Sequence, residues 1–146
     1  MIIKGDLTMS EVTNDVIETE MIRVLIVDDS EDLRQALRDI LSLTDDIIVI
    51  GEAINGKEGV EKAEELEPDI IIMDERMPGL NGLETSRIIC ERALPCKIIM
   101  LTNYEDFKSE AFKCGVLAYL IKGVKLDILT DCIRKVHNGD TIPGED

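Results

Sequence analysis

The sequence predicts an α/β fold, a doubly wound sheet of five parallel strands with helices on both faces. Five short apolar runs are rich in β-branched residues and barely alternate with polar ones, as strands buried on both faces do. Stretches with apolar residues every three or four positions separate these runs, which is typical of amphipathic helices. Five strand–helix units in succession imply right-handed crossovers and therefore a parallel sheet.

The five predicted strands are the apolar runs themselves: Ile22–Val27, Ile47–Ile50, Ile70–Met73, Lys97–Leu101 and Leu117–Ile121. Among doubly wound sheets, five strands suit the flavodoxin-like order 2-1-3-4-5. In this order a crevice opens between strands 1 and 3 at their carboxyl ends, where chemistry is expected.

The first three helices are predicted to begin at capping residues. Ser30 follows the first strand, and Asn55 and Asn81 each have a glutamate three residues later, Glu58 and Glu84, as capping boxes do. Later apolar positions at helical spacing predict a fourth helix over 107–114 and a fifth from residue 126 to about 138–139.

Length and composition indicate one ordinary globular domain. The chain has 146 residues, 45% hydrophobic and 32% charged. Residues 1–20 show weak periodicity and are predicted to be a flexible leader, 21–139 the folded domain, and 140–146 the start of a linker. A formal charge of −15 repels phosphate backbones and anionic lipid, which disfavours direct binding of nucleic acid or membrane by this domain.

Cysteine usage and hydropathy favour an intracellular protein. The four cysteines form no CxxC pair and lie within apolar stretches, so they are predicted to be reduced core thiols without a disulfide or zinc. No apolar run is long enough for a membrane span.

Polar side chains follow four of the five predicted strands. They are Asp28 and Asp29 after the first, Asp74 after the third, Thr102 after the fourth and Lys122 after the fifth. Each alone has an ordinary structural explanation, such as a turn residue or a solvated lysine. Because all five face one edge of the sheet, their coincidence predicts a site.

The chemistry of this set indicates phosphoryl transfer. Three converging carboxylates repel one another unless a cation compensates them, and oxygen ligands without histidine or cysteine favour a hard ion such as Mg²⁺. One carboxylate can then attack a phosphoryl group. Lys122 and the Thr102 hydroxyl can stabilise charge on the transferring oxygens.

Four segments of the sequence resemble the signature segments of response-regulator receiver domains. They are LIVDDS at 25–30, DIIIMDERMPGLNG at 69–82, IIMLTN at 98–103 and AYLIKG at 118–123. Their order and their positions at strand ends make the match specific. The resemblance extends from residue 21 to about 139.

The resemblance assigns the acidic residues. It implies that Asp74 is the phosphorylated residue and a metal ligand, and that Asp29 binds Mg²⁺ directly. It further implies that Asp28 acts through a metal-bound water and that the backbone carbonyl of Arg76 is another ligand.

The resemblance also assigns the residues around the phosphoryl group. Thr102 and Lys122 match the residues that contact it, and Tyr119 matches the aromatic residue that moves when the domain switches. Two positions depart from the family pattern. Asn103 stands where a small residue is usual, and Gly123 stands where many members have proline.

The implied function is a signalling phosphoacceptor rather than an enzyme with its own external substrate, although the domain assists its own phosphotransfer and dephosphorylation. A sensor histidine kinase is implied as phosphodonor, and this protein is expected to be cytoplasmic. Phosphorylation is expected to alter the surface formed by helix 4, strand 5 and helix 5, and homodimerisation is expected to follow. The position two residues after Asp74 and that two after Thr102 overlook the phosphoryl group in similar proteins. Here Arg76 and Tyr104 are large, which predicts slow hydrolysis.

The carboxyl-terminal segment KVHNGDTIPGED resembles the end of receivers in the NarL/LuxR subfamily, where a linker leads to a helix-turn-helix effector. An effector missing from this chain would control transcription, and the alternative is a stand-alone regulator that acts by protein–protein interaction. His137, without acid or cysteine partners nearby in sequence, is predicted to have a helix-end or surface role.

Two other classes share parts of this pattern. Haloacid dehalogenase-type phosphatases use an Asp-x-Asp pair after the first strand, whereas Asp28 and Asp29 are adjacent. A flavodoxin-like electron carrier needs a hydroxyl-rich or glycine-rich anion cradle after strand 1, and Asp-Asp-Ser disfavours bare phosphate there.

Overall fold

The computed structural model describes residues 21–140. The predictions for the leader, 1–20, and for linker residues 141–146 lie outside the described residues. In chain order the elements are β1 Ile22–Val27, α1 Glu31–Leu41, β2 Ile47–Ala53, α2 Gly56–Leu66, β3 Ile70–Met73, α3 Gly82–Glu91, β4 Lys97–Thr102, α4 Lys108–Lys113, β5 Ala118–Ile121 and α5 Leu126–His137. None of the helices between residues 21 and 140 combines the length and the hydropathy of a membrane span.

The five strands form one parallel sheet in the order β2-β1-β3-β4-β5. The predicted α/β fold and its flavodoxin-like strand order 2-1-3-4-5 are confirmed. The strands pair so that their carboxyl ends meet at one edge, with Val27 beside Met73 and Met73 beside Met100.

Two apolar layers fill the space between the sheet and its helices. Alternate residues of β1 point to opposite faces, so Val24 and Ile26 belong to one layer and Leu25 and Val27 to the other. The first layer includes residues of α1 and α5, and the second includes residues of α2, α3 and α4. Burial on both faces explains why the strands are almost uniformly apolar.

The predicted helix starts are confirmed, with one difference in detail. The Ser30 hydroxyl accepts from Leu33 N at 3.2 Å, and Asn81 and Glu84 form a complete capping box. Asn55 accepts from Glu58 N at 2.8 Å, but the Glu58 carboxylate accepts from Ile54 N, one residue before the position of a capping box.

Several boundaries differ from the predictions. β2 extends three residues further, to Ala53, and β5 begins at residue 118 rather than 117. Thr102 is the last residue of β4 rather than a loop residue. α4 has only six residues, because Phe107 supplies no side-chain cap and Gly115, with φ +100°, follows its end.

The prediction that all four cysteines are core thiols is wrong for Cys90. Cys114 and Cys132 are buried and Cys96 is partly buried, whereas Cys90 is exposed. Cys90 lies in the last turn of α3, and its sulfur packs against Gly115 rather than entering either apolar layer. Burial raises the pKa of the Cys96 and Cys132 thiols to about 11.

Candidate functional site

The fold brings the five predicted site residues to one edge of the sheet. Asp28 and Asp29 directly follow β1, and Asp74 directly follows β3. Thr102 ends β4 and Lys122 directly follows β5, where Thr102 pairs with Ile121. Strand order therefore assembles residues separated by up to 94 positions (28 to 122) in the sequence.

The acidic cluster consists of Asp28, Asp29 and Asp74. One carboxylate oxygen from each lies within 4.8 Å of the others. Asp28 and Asp74 are only 2% and 5% exposed, whereas Asp29 is exposed. Three oxygen donors, one of them open to solvent, fit a small hard cation that keeps part of its water shell, as Mg²⁺ does.

Lys122 neutralises part of this cluster. Its Nζ lies 3.0 Å from Asp28 Oδ2 and 3.4 Å from Asp74 Oδ1. Burial alone would lower the pKa of Lys122, but its hydrogen bond with Asp28 and the charges of Asp74 and Asp28 raise it above the ordinary value. The lysine is therefore held as a cation beside Asp74.

The Asp74 carboxylate lies in a partly desolvated environment. Burial, followed by the charge of Asp28, raises the pKa of Asp74, and Lys122 opposes this shift. Asp74 N donates to the Val27 carbonyl at 2.9 Å, and Asp74 Oδ1 accepts from Glu75 N at 2.9 Å. Both hydrogen bonds fix the acid relative to β1 and to the following loop.

Thr102 presents a hydroxyl that is ready to donate. The residue is fully buried, and its Oγ1 is one of two buried side-chain oxygens between residues 21 and 140 without a hydrogen-bond partner. Such atoms are uncommon because an unmade buried hydrogen bond is costly. A phosphoryl oxygen at Asp74 would supply an acceptor.

Tyr119 already occupies an inward position in this structure. It is 8% exposed, and its hydroxyl donates to the backbone carbonyl of Tyr104. Burial raises the pKa of Tyr119. The aromatic ring thereby joins β5 to the loop that follows β4.

Arg76 and Tyr104 contact each other. The Arg76 guanidinium carbon lies 4.1 Å from the centre of the Tyr104 ring, within the range of a cation–π interaction. The contact connects the loop after β3 with the loop after β4. The Arg76 carbonyl ligand remains a prediction from the resemblance.

The two residues that depart from the family pattern differ in exposure and backbone conformation. Asn103 is exposed, so its side chain lies at the surface rather than in the buried part of the site. Gly123 has φ +96°, a left-handed conformation that proline cannot adopt. The backbone after Lys122 therefore differs from that of members with proline.

Arg34 was not among the site residues predicted from the sequence. This arginine is 8% exposed; its NH1 donates to the Asp28 carbonyl at 2.8 Å and its Nε to Glu52 Oε1 at 2.9 Å. It supports the acidic pair from α1. A signal was available, since Arg34 lies three residues before Leu37 and seven before Leu41, on the apolar face of its helix.

Glu75 was also missed. It is 3% exposed, and its Oε1 accepts from Leu83 N at 2.9 Å. Burial, partly offset by that hydrogen bond, raises the pKa of Glu75. No local pattern distinguishes this glutamate from an exposed turn residue.

Comparison with known proteins agrees with the geometry. The family model of the response regulator receiver domain matches residues 24–134. The chain therefore belongs to the response regulator receiver domain family. It is 43% identical over 122 residues to the transcriptional regulatory protein LiaR of Bacillus subtilis, covering 82% of this chain and 58% of LiaR.

Two further similarities specify the type of regulator. The chain is 36% identical over 124 residues to the nitrate/nitrite response regulator NarL of Escherichia coli, covering 84% of this chain and 57% of NarL. A solved LuxR-family DNA-binding response regulator from Staphylococcus aureus has a TM-score of 0.77 and 30% identity, with 81% of this chain and all (100%) of that chain covered. The domain is of the NarL/LuxR type. The chain spans less than two thirds of the length of these curated relatives.

Proposed function

We propose that Asp74 accepts a phosphoryl group from a sensor histidine kinase in the cytoplasm and that its phosphorylation controls an output. The observation that best supports this is that two groups suited to phosphoryl oxygens lie at the same edge of the sheet as Asp74. The partly buried Lys122 has its Nζ 3.4 Å from the Asp74 carboxylate, and the buried Thr102 hydroxyl has no hydrogen-bond partner within residues 21–140.

Four groups would hold Mg²⁺ in this proposal: Asp29, Asp74 and the Arg76 carbonyl directly, and Asp28 through a water molecule. When bound, the ion supplies positive charge against the acidic cluster and the phosphoryl oxygens. Asp28 is already held by Ser30 N, which donates to its Oδ1 at 2.8 Å.

The chain's own residues perform the transfer. An Asp74 carboxylate oxygen forms a bond to phosphorus as the bond from phosphorus to the donor histidine breaks. Lys122 holds one phosphoryl oxygen through its ammonium group, and Thr102 donates a hydrogen bond to another. The domain thus promotes its own phosphorylation and later hydrolysis while the kinase supplies the phosphoryl group.

The output is proposed to pass through α4, β5 and α5. Movement of Thr102 towards a phosphoryl group would change the packing of Tyr119 and the β4–α4 loop, and homodimerisation would follow.

We infer that the 140–146 segment begins a linker to a DNA-binding effector, since relatives such as LiaR extend well beyond the matched part. A stand-alone regulator remains the alternative.

The decisive experiment is intact-mass measurement after incubation with Mg²⁺ and a small phosphodonor. One added phosphoryl group is expected for the natural sequence, and none is expected for Asp74→Asn or in the presence of EDTA. Persistence of the added mass in Asp74→Asn would contradict the proposal. Steady turnover of a phosphomonoester would favour the phosphatase class instead.

The proposed switch has its own test. Addition of beryllofluoride with Mg²⁺ mimics the phosphoryl group, and we expect it to change the amide signals of α4 and β5 and the sedimentation of the domain. Asp74→Asn is the matched control, because it replaces the nucleophilic carboxylate by a neutral amide. Unchanged signals and an unchanged oligomeric state would contradict the proposed coupling.

A further inference from the structure

Glu75 is a buried acid without an assigned role. It follows Asp74 directly, is 3% exposed, and does not belong to the acidic cluster. None of the ion pairs found between residues 21 and 140 includes it. Because burying a carboxylate is costly unless hydrogen bonds compensate it, its partners indicate what it does.

Those partners belong to the first turn of α3. Glu75 Oε1 accepts from Leu83 N at 2.9 Å, and the Glu75 carbonyl accepts from Gly82 N at 2.8 Å. The first N–H groups of a helix lack partners within the helix. Glu75 therefore fastens the loop after β3 to the start of α3 through both its side chain and its backbone.

The same residue also holds Asp74. Glu75 N donates to Asp74 Oδ1 at 2.9 Å, and this oxygen is the one that lies 3.4 Å from Lys122 Nζ. The orientation of one peptide unit, Asp74–Glu75, thus determines how the carboxylate is presented to the lysine. Rotation of this peptide would withdraw the hydrogen bond from Asp74.

We propose that Glu75 is a positioning residue for phosphoryl transfer. Its carboxylate reaches the Leu83 N–H and locks the Asp74–Glu75 peptide, which in turn orients the Asp74 carboxylate for attack. The property that matters is an acceptor oxygen at the end of a side chain of this length. The negative charge is not required. This proposal rests on the assignment of Asp74 as the phosphoacceptor.

Two substitutions of Glu75 separate the effect of side-chain length from the effect of negative charge. Glu75→Gln keeps the side-chain length and an acceptor oxygen but removes the charge. Glu75→Asp keeps the charge but is one methylene shorter, so its carboxylate cannot reach Leu83 N unless the peptide moves. Asn81→Ala is the matched structural control. It removes the 2.8 Å hydrogen bond from Glu84 N to Asn81 Oδ1 at the same helix end, without a link to Asp74.

The readout is the rate of phosphorylation by a small phosphodonor at saturating Mg²⁺ and donor, followed by intact mass. Glu75→Asp should slow the reaction by at least about tenfold, because small misplacements of a reacting group have large effects on rate. Glu75→Gln should stay within about threefold of the natural sequence, and Asn81→Ala should keep its rate even where it lowers the melting temperature.

The outcomes are distinct. An unchanged rate in Glu75→Asp, or a rate in Glu75→Gln as low as in Glu75→Asp, would overturn the positioning role. A loss in Asn81→Ala equal to that in Glu75→Asp would also overturn it, because general weakening of the helix end would then explain the effect. Failure of the natural sequence to gain an Asp74-dependent phosphoryl group would instead refute the proposed function.

Discussion

Replacing Gly82 by alanine should lower stability and disturb the loop that begins at Asp74, after β3. A Cβ at this position would lie 2.2 Å from the Asp74 carbonyl oxygen and 2.9 Å from Glu75 Cα. Carbon–oxygen contacts of this kind normally begin at about 3.3 Å, so the loop and the start of α3 would have to separate by about 1 Å. Both neighbours are backbone atoms, which cannot rotate away as a side chain can.

The expected magnitude comes from two opposing effects. Alanine favours the helix over glycine by up to about 1 kcal/mol, whereas overpacking typically costs about 1–3 kcal/mol. Because the clash involves backbone on one side, the cost should lie near the upper end of that range. We therefore expect Gly82→Ala to lower the free energy of unfolding by about 1–2 kcal/mol and to slow phosphorylation of Asp74.

Urea unfolding and intact-mass kinetics would measure the two effects. Gly59→Ala is the matched control in α2, since the atoms nearest to its Cβ would be the γ-carbons of the Val27 side chain, at 3.0 Å and 3.2 Å, rather than backbone. The control should retain its phosphorylation rate and nearly all its stability. A Gly82→Ala domain as stable as the natural sequence and phosphorylated at the same rate would refute the reasoning.

Three further predictions concern the metal, the lifetime of the phosphorylated state and pH. Asp29→Ala should lose more Mg²⁺ affinity in calorimetric titration than Asp28→Ala, since Asp29 is assigned as the direct ligand; equal losses would contradict the assignment. The double substitution Arg76→Asn/Tyr104→Ala should speed decay of phosphorylated protein by opening the path of the attacking water, and unchanged decay would exclude shielding. Arg134 on α5 donates to both carboxylate oxygens of Asp46, at 2.7 Å and 3.0 Å. These hydrogen bonds lower the pKa of Asp46 below its ordinary value of 3.8, so the pair stabilises the fold at neutral pH and ceases to do so as pH falls through the folded-state pKa. Asp46→Asn should therefore lower the free energy of unfolding by about 0.5–1 kcal/mol at pH 7, and the difference should disappear in strong acid. A difference that persists there would show that the charge of Asp46 is not responsible.

Much of the fold could be predicted because local and global signals agree. Strands buried on both faces leave continuous apolar runs, and three helix starts carry side-chain caps such as Ser30 and Asn81. The site could be predicted because parallel strands place their carboxyl ends at one edge, so Asp28, Asp74 and Lys122 had to approach one another. α4 was predicted too long because neither end has a strong side-chain signal.

The residues that were missed depend on distant partners. Arg34 is stabilised in a buried position by Glu52, 18 residues away on β2, and by the carbonyl of Asp28. Glu75 is satisfied by Leu83 N at the start of another element. In both cases the charged side chain is buried because the fold supplies its hydrogen-bond partner. The position of Arg34 on the apolar face of α1 indicates its burial, but a sequence window does not identify the partner of either residue.

The shortness of α4 affects the free energy that is needed to rearrange this helix during signalling. Its six residues, Lys108–Lys113, make fewer than two helical turns, and its start has no side-chain cap. A helix this short contains few internal hydrogen bonds and depends mainly on tertiary packing, so opening it breaks little structure. We expect its amides to exchange with solvent sooner than those of the central strands. A chemical change with a free energy equal to that of only a few hydrogen bonds is therefore enough to rearrange α4 while the sheet stays intact. Signalling can then be repeated over many cycles without the risk of global unfolding.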